Sequence, residues 1–220
     1  MSFSLTLLTI GSLILSPPLY TKSKSPHGLP CHQYTIRGKP HVICWTIDDH
    51  PFRTTPMMLA VLKKYNVKAT FFVVALMLRY DSIHSGRATR RYVKWLKAIK
   101  KAGHVIGNHS VTHKRLCHMK GSQVLWELTE NQRLVKHYAG VAPTLFRPPH
   151  GTWCGKMARA VRRLKLTKVM YDTSDYKSTA RAMWRVILWR IRHGKKHTIV
   201  LVHYKPKTLQ KLLELVKLNP

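Results

Sequence analysis

Acidic residues are scarce in this chain. Eight Asp and Glu face 39 Lys and Arg in 220 residues, a formal net charge of +31. The nucleotide-cradling patterns Gly-x-Gly-x-x-Gly and Gly-x4-Gly-Lys-Ser/Thr are absent, so no phosphate loop is supported. No Cys-x-x-Cys occurs, which sets aside thiolate zinc knuckles and thioredoxin-type sites. The basic charge comes without a helix-turn-helix, zinc-finger or RNP-type signature, and it runs from Lys22 to Lys217 without gathering into one block. No dedicated nucleic-acid partner is therefore expected. An anionic polymer, as substrate or as anchoring surface, fits the charge better. There is no internal repeat.

Charge is missing altogether from Met1 to Thr21, and Leu5 to Leu15 is an apolar run of signal-peptide length. It has no basic segment before it and no Ala-x-Ala site after it. Residues 1–21 are read as a signal peptide or an N-terminal membrane anchor, with burial in the fold as the plain alternative. The expected location is secreted or membrane-anchored, with the domain outside the cytoplasm. Cys31, Cys44, Cys117 and Cys154 then allow two disulfides in three connectivities. The stretch 22–40, with Pro26, Gly28, Pro30, Gly38 and Pro40, reads as a linker or extended arm. Residues 41–220, in a chain 45% hydrophobic, read as a single catalytic domain.

Within that domain, Val42–Ile47 is β-branched and aromatic and reads as a buried strand. Further strands are predicted at 69–75, 104–107, 145–146, 166–171 and 198–202. Helices are predicted at about 56–65, 90–102, 122–138, 156–164, 179–192 and 208–218. Strand and helix alternate, which calls for a parallel sheet with crossover helices. The fold class is α/β, as a distorted or incomplete (β/α) TIM-like barrel; an open doubly wound sheet is the alternative.

Unusual polar residues gather at the carboxyl ends of these strands, the rim where parallel α/β folds bind ligands. Asp48-Asp49 follow the first strand, His109-Ser110-Val111-Thr112-His113 the third, and Arg147-Pro148-Pro149-His150-Gly151 the fourth. Asp172-Thr173-Ser174-Asp175-Tyr176 follow the fifth, and His203 ends the sixth. Four of the eight acids fall there, which a random scatter would not produce. With 14 His, roughly one His-x3-His pair arises by chance. The pair His193/His197 sits in a Lys-rich loop and reads as solvated. His109 and His113 differ, because they follow a strand end, and a helical turn would bring both imidazoles to one face. Two His and one Asp are the open three-ligand set of a catalytic divalent ion. Asn108-His109-Ser110 also matches a glycosylation sequon, but so close to such a site it would be inaccessible.

Thr-Ile-Asp-Asp-His-Pro, His-Ser-Val-Thr-His, Arg-Pro-Pro-His-Gly, Asp-Thr-Ser-Asp-Tyr and Leu-Val-His, in this order, resemble the five motifs of the polysaccharide deacetylases. These are the NodB-homology proteins of carbohydrate esterase family 4. The similarity covers about residues 41 to 205. It implies a metal-dependent hydrolase of N-acetyl groups in GlcNAc-containing polymers (peptidoglycan or chitin). By that resemblance Asp49, His109 and His113 hold the metal, Zn²⁺ first, with Co²⁺, Ni²⁺, Mn²⁺ or Fe²⁺ as alternatives. Asp48 is the general base and His203 the acid that protonates the departing amine. Arg147 tethers Asp48, and Asp175 tethers Arg147 or His203. The backbone near His150 completes an oxyanion hole, and His50, His150, Tyr176 and Leu201 line the substrate.

Three positions depart from the family pattern: His50 stands for Gly, Tyr176 for Trp, and His150 for Tyr or Phe. Pro51 restricts position 50 toward extended conformations, so His50 is expected at negative φ, with its imidazole at the cleft mouth as a polar wall or spare ligand. Cys117 and Cys154 fall on loops near one rim. In a barrel their Cα atoms come within about 7 Å, with two buried reduced residues as the plainer state. Alternatives on the same site are an O-acetyl esterase acting on xylan and a small-amide hydrolase. An alternative of another class is a non-catalytic basic glycan- or nucleic-acid-binding protein.

Overall fold

The computed structural model describes residues 19–21, 26–83 and 87–219. Its axis is β3 (Lys39–His50). Ile43, Cys44, Trp45, Thr46 and Ile47 are all buried, without polar–apolar alternation, as in a parallel strand covered on both faces. β1 (Leu19–Thr21) and β2 (Cys31–Ile36) precede it. After it come β4 (Thr70–Val73), β5 (Val105–Asn108), β6 (Leu145–Phe146), β7 (Thr167–Lys168), β8 (Thr173–Ser174) and β9 (His197–Val202). The helices are α1 (Thr55–Lys64), α2 (Leu76–Ile83), α3 (Arg87–Lys101), α4 (Gly121–Ala139), α5 (Gly155–Arg163), α6 (Ala180–Arg192) and α7 (Pro206–Lys217).

The ladder β8-β9-β3-β4-β5-β6-β7 is parallel throughout. Among the described residues no ladder joins β7 to β8. The sheet is therefore a barrel left open at that seam, the distorted (β/α) form expected. The principal core lies between the sheet and the helices, where Trp45, Ile47 and Phe71 meet Met58, Leu62, Met183, Ile187, Leu209 and Leu213. Trp45 buries its indole and still donates Nε1–H to the Tyr34 hydroxyl at 3.0 Å, so no polar atom is sacrificed there.

Three expectations change. The second half of the arm at 22–40 is not free chain: β2 runs antiparallel to the first half of β3, with Cys31 opposite Cys44 in the ladder. A disulfide joins that pair at a Cα–Cα distance of 4.1 Å. The strand at 166–171 shrinks to two residues. Beyond Lys168 the backbone leaves the ladder, and the carbonyls of Val169 and Met170 accept from Arg147 instead. The residues between β4 and α3, left unassigned by the sequence reading, form α2. The N-terminal segment 1–21 lies outside the described residues except for Leu19–Thr21, which pair with β2. Among the described residues no helix is long and apolar enough to cross a membrane. Cys117 and Cys154 form the second disulfide, with Cα atoms 5.9 Å apart, inside the expected range.

Candidate active site

Consecutive residues of a strand point to opposite faces, yet Asp48 and Asp49 both line one cleft of about 540 Å³. A register shift between Asp48 and His50 in the β3–β4 ladder and a left-handed Asp49 (φ 62°) turn both carboxylates the same way. Asp tolerates that conformation better than most residues. Of the nine non-glycine residues at positive φ among the described residues, three line the cleft, Asp49, His113 and His150, and a fourth, Ser110, accepts from the His113 N–H just behind it. Strain concentrated like this marks a site whose surroundings over-determine the backbone.

Asp48 is buried and held by Arg147, whose Nη1 donates to Oδ1 at 2.8 Å and to Thr46 Oγ1 at 2.7 Å. The guanidinium lies over the Phe72 ring at 4.3 Å. The Arg147 carbonyl accepts from His109 Nδ1 at 2.7 Å. That bond fixes the tautomer and leaves Nε2 as the acceptor facing the acids, 3.6 Å from Asp49 Oδ1 and from Asp48 Oδ2. His113 Nε2 is 3.3 Å from the same Asp49 oxygen. Burial lowers the pKa of His109 and of His113, keeping both imidazoles neutral and able to donate electron pairs. Burial, with Asp48 alongside, raises Asp49.

The loop carrying the two histidines is not the helical turn expected. Ser110 (φ 64°) and His113 (φ 55°) are left-handed, and the ring centroids converge to 4.9 Å by a tight bend. Buried polar groups of α4 hold that bend, and sequence reasoning missed them. Glu127 accepts from the Val111 and Thr112 N–H groups at 2.8 and 2.9 Å and from the Thr112 hydroxyl. Asn131 donates to the carbonyls of Val73 and Ser110. One turn apart on an otherwise apolar helix face, Glu127 and Asn131 were the available signal.

On the far wall, His203 Nδ1 lies 2.6 Å from Asp175 Oδ1, which turns Nε2 to the cleft side. Burial works against the imidazolium, but the Asp175 hydrogen bond and the charges of Asp48, Asp175 and Asp49 outweigh it, and the pKa of His203 is raised. Asp175 thus serves His203 and not Arg147. Arg147 spends its donors on Asp48, Thr46 and two carbonyls.

The expected lining residues divide. His150 and Leu201 line the cleft, and so does Tyr176, 68% exposed. His150 is left-handed (φ 58°), as is Gly151 (φ 66°), so the backbone at that wall makes a tight turn, closed by the Gly151 N–H on the Pro148 carbonyl. The His150 ring packs 4.6 Å from His113 and bonds the His113 carbonyl through Nε2. His50 is a correction. It avoids positive φ as expected, but its side chain is fully buried beneath the cleft. There Nδ1 meets Thr55 Oγ1 at 2.8 Å and the ring sits edge-on to Phe71. It is neither wall nor ligand, because packing against α1 and β4 claims the ring. Tyr171, Tyr204, Arg115 and Lys205 also line the cleft and were not anticipated.

One ligand atom from each of Asp49, His109 and His113 lies within 4.8 Å of the others. Asp49 Oδ1 is buried without a hydrogen bond. An orphaned carboxylate oxygen facing two neutral imidazole nitrogens is costly as it stands and suits a divalent cation bound by one oxygen and two nitrogens.

Comparison with known proteins places the chain in a family. The family model described as polysaccharide deacetylase matches residues 35–169. A peptidoglycan-N-acetylglucosamine deacetylase of Bacillus cereus is 33% identical over 141 residues, 63% of this chain and 47% of that protein. The Listeria monocytogenes peptidoglycan-N-acetylglucosamine deacetylase PgdA is 31% identical over 76% of this chain and 33% of its own length. The chain thus spans about half the length, or less, of these curated relatives. Among solved structures, the Bc1960 peptidoglycan N-acetylglucosamine deacetylase aligns with TM-score 0.65 at 25% identity, over 80% of this chain and 81% of that one. A family 4 carbohydrate esterase from Streptomyces lividans shares the fold (TM-score 0.66, 21% identity, 86% of this chain and 88% of that one). With the strand-end motifs gathered around one cleft and the family model matching over more than half the sequence, this chain belongs to the polysaccharide deacetylase family.

Proposed function

We propose that this protein is a metal-dependent deacetylase that removes N-acetyl groups from a GlcNAc-containing polysaccharide, peptidoglycan before chitin. It acts outside the cytoplasm, with residues 1–21 as signal peptide or membrane anchor. The observation that carries the reading is the orphaned Asp49 Oδ1 between two imidazole nitrogens, 3.3 and 3.6 Å away, beside a second carboxylate with a different partner. Asp49, His109 and His113 are the ligands of a divalent cation, Zn²⁺ first by its preference for nitrogen and oxygen donors in open three-ligand sites. Bound there, the cation supplies Lewis-acid polarisation of the acetyl carbonyl and acidifies the attacking water.

The chain's own groups do the rest. Asp48, held in position by the Arg147 guanidinium, takes the proton of the attacking water as general base. His203, kept protonated by Asp175, gives a proton to the amine nitrogen as it leaves. Backbone N–H at the left-handed His150 turn faces the developing oxyanion. Tyr171, Tyr176 and Tyr204, all at least 38% exposed, offer flat apolar faces for sugar rings.

The test is acetate release from peptidoglycan, chitin oligomers and acetylxylan, each with and without chelator. Release from peptidoglycan, abolished by chelation and restored by Zn²⁺, is expected. Release from acetylxylan alone would make the chain an ester hydrolase, and binding without release would make it a non-catalytic family member.

A further inference from the structure

On the outer helical layer, α1 and α3 run side by side from the cleft end of the sheet to its opposite end. Between them lie two recesses of about 560 and 870 Å³ that share Pro56 and Leu59. Arg53, Lys63, Arg90, Arg91, Lys94 and Lys101 line this groove over a floor that includes Leu59 and Trp95. All six cations are exposed. On α3, Arg90, Lys94, Lys97 and Lys101 follow i, i+4, i+7, i+11 spacing, one stripe about 16 Å long at 1.5 Å per residue.

No acid offsets this charge from within, since α1 and α3 contain none. The acids whose side chains are described are engaged elsewhere. Asp48 and Asp49 are in the cleft and Glu127 is under the histidine loop. Glu130 pairs with Arg133, Asp172 with Arg190, Asp175 with His203 and Glu214 with Lys211. The groove is thus a concave cationic track with an apolar floor, uncompensated by any acid whose side chain is described.

We propose that this groove docks an acidic polysaccharide, at a site separate from the catalytic cleft. A polymer fits better than a small anion, because the cations are strung along three turns of helix instead of converging on a point. Two disulfides suit an oxidising compartment, where acidic glycans rather than nucleic acids are the common polyanions. Leu59, Pro56 and Trp95 give the C–H faces of sugars a surface to lie on. A second contact with the same polymer raises the effective concentration of substrate at the cleft. That last benefit rests on the deacetylase reading, whereas the docking itself does not.

Diffuse charge on a +31 chain is the rival explanation, so the test compares two variants of equal net charge. One is Arg90→Gln/Lys94→Gln/Lys101→Gln in the groove; the other is Arg159→Gln/Arg162→Gln/Arg163→Gln on α5. All six side chains are exposed, and circular dichroism with thermal melting checks that both variants fold. The probes are polygalacturonate, neutral dextran and duplex DNA, across a NaCl series. Wild type is expected to bind polygalacturonate with an affinity that falls as salt rises. The groove variant should lose on the order of tenfold or more, while the α5 variant binds as wild type does. Equal losses in the two variants, equal binding of dextran, or tighter groove-dependent binding of DNA would each overturn the proposal. Because the readout is binding, a protein that released no acetate would leave this result standing.

Discussion

Arg147 Nη1 lies 2.8 Å from Asp48 Oδ1, with both side chains all but sealed from solvent. The same guanidinium reaches Thr46 Oγ1 and the carbonyls of Val169 and Met170, spanning from β3 to the open seam after β7. One residue therefore orients the candidate base and ties the barrel where its ladder fails. A lysine could keep one bond to Asp48 but not the planar fork. Arg147→Lys should lower kcat/KM on the order of 10²-fold through a misplaced base. It should cost about 2–4 kcal/mol of stability through unpaired buried acceptors, while bound metal stays near one equivalent. Wild-type turnover and melting in that variant would remove Arg147 from the mechanism.

The two adjacent carboxylates should separate cleanly. Asp48→Asn is expected to abolish turnover, by about 10² or more, with metal content preserved. Asp49→Asn should lose metal and turnover together, since its buried oxygen has no other partner. Metal analysis of the two purified variants decides the assignment; the opposite pattern would reverse it.

His203 gives a pH prediction. Its pKa is raised by Asp175 and the nearby carboxylates against the effect of burial, so the proton-bearing form persists above the ordinary value of 6.5. Activity that needs that proton should hold to higher pH and fall on the alkaline side as His203 deprotonates. Asp175→Asn removes the stabilising charge, and the alkaline limb of kcat should move to lower pH. An unmoved limb would assign it to another group.

Glu127 never touches the cleft, yet its carboxylate receives both N–H groups that shape the His109–His113 loop. Glu127→Ala leaves the buried Val111 N–H and the part-buried Thr112 N–H without partners, at about 1–3 kcal/mol for a buried donor, and should weaken metal binding by about 10–100-fold. Glu127→Gln keeps an acceptor oxygen and should recover most of both losses. Equal behaviour of the Ala and Gln variants would reduce Glu127 to simple packing.

The strand-end residues were legible because β3, β5, β6 and β9 run parallel in one sheet, so their carboxyl ends must meet on one rim. Their polar punctuation was therefore a map of the cleft. Details set by backbone handedness were not legible. No sequence signal singled out Asp49 for the left-handed turn it adopts (φ 62°), and that turn decides that Asp49 faces the candidate metal position while His50 goes under it. Nor could periodicity reveal β2, because its proline- and glycine-rich flanks read as linker while its Cys31–Cys44 bond and ladder with β3 are tertiary. Asp175 was placed near two cations by sequence, and only the fold chose His203.

Acid stability gives the last prediction, from histidines away from the cleft. His41 is buried, bonded through Nε2 to Thr198 Oγ1 at 2.8 Å. Burial, with Arg190 nearby, lowers its pKa to about 4. His104 is buried too, its Nδ1 accepting from the Ala69 N–H. Burial and Lys68 lower it to about 4 as well. Unfolded, both take up a proton near the ordinary 6.5; folded, they resist it until about pH 4. Between those values the unfolded chain binds more protons, so stability must fall as pH falls. Each whole proton of difference corresponds to about 1.4 kcal/mol per pH unit. Urea midpoints of the metal-free protein should therefore drop steadily from pH 7 to pH 5. His104→Asn should be less stable at pH 7, having lost a fitted ring, but its midpoint should fall less steeply with acid. A wild-type midpoint that stays flat over this range would mean that His41 and His104 accept protons in the folded state. In that case the lower end of the barrel, where His104 leads into β5, opens more readily than its burial indicates.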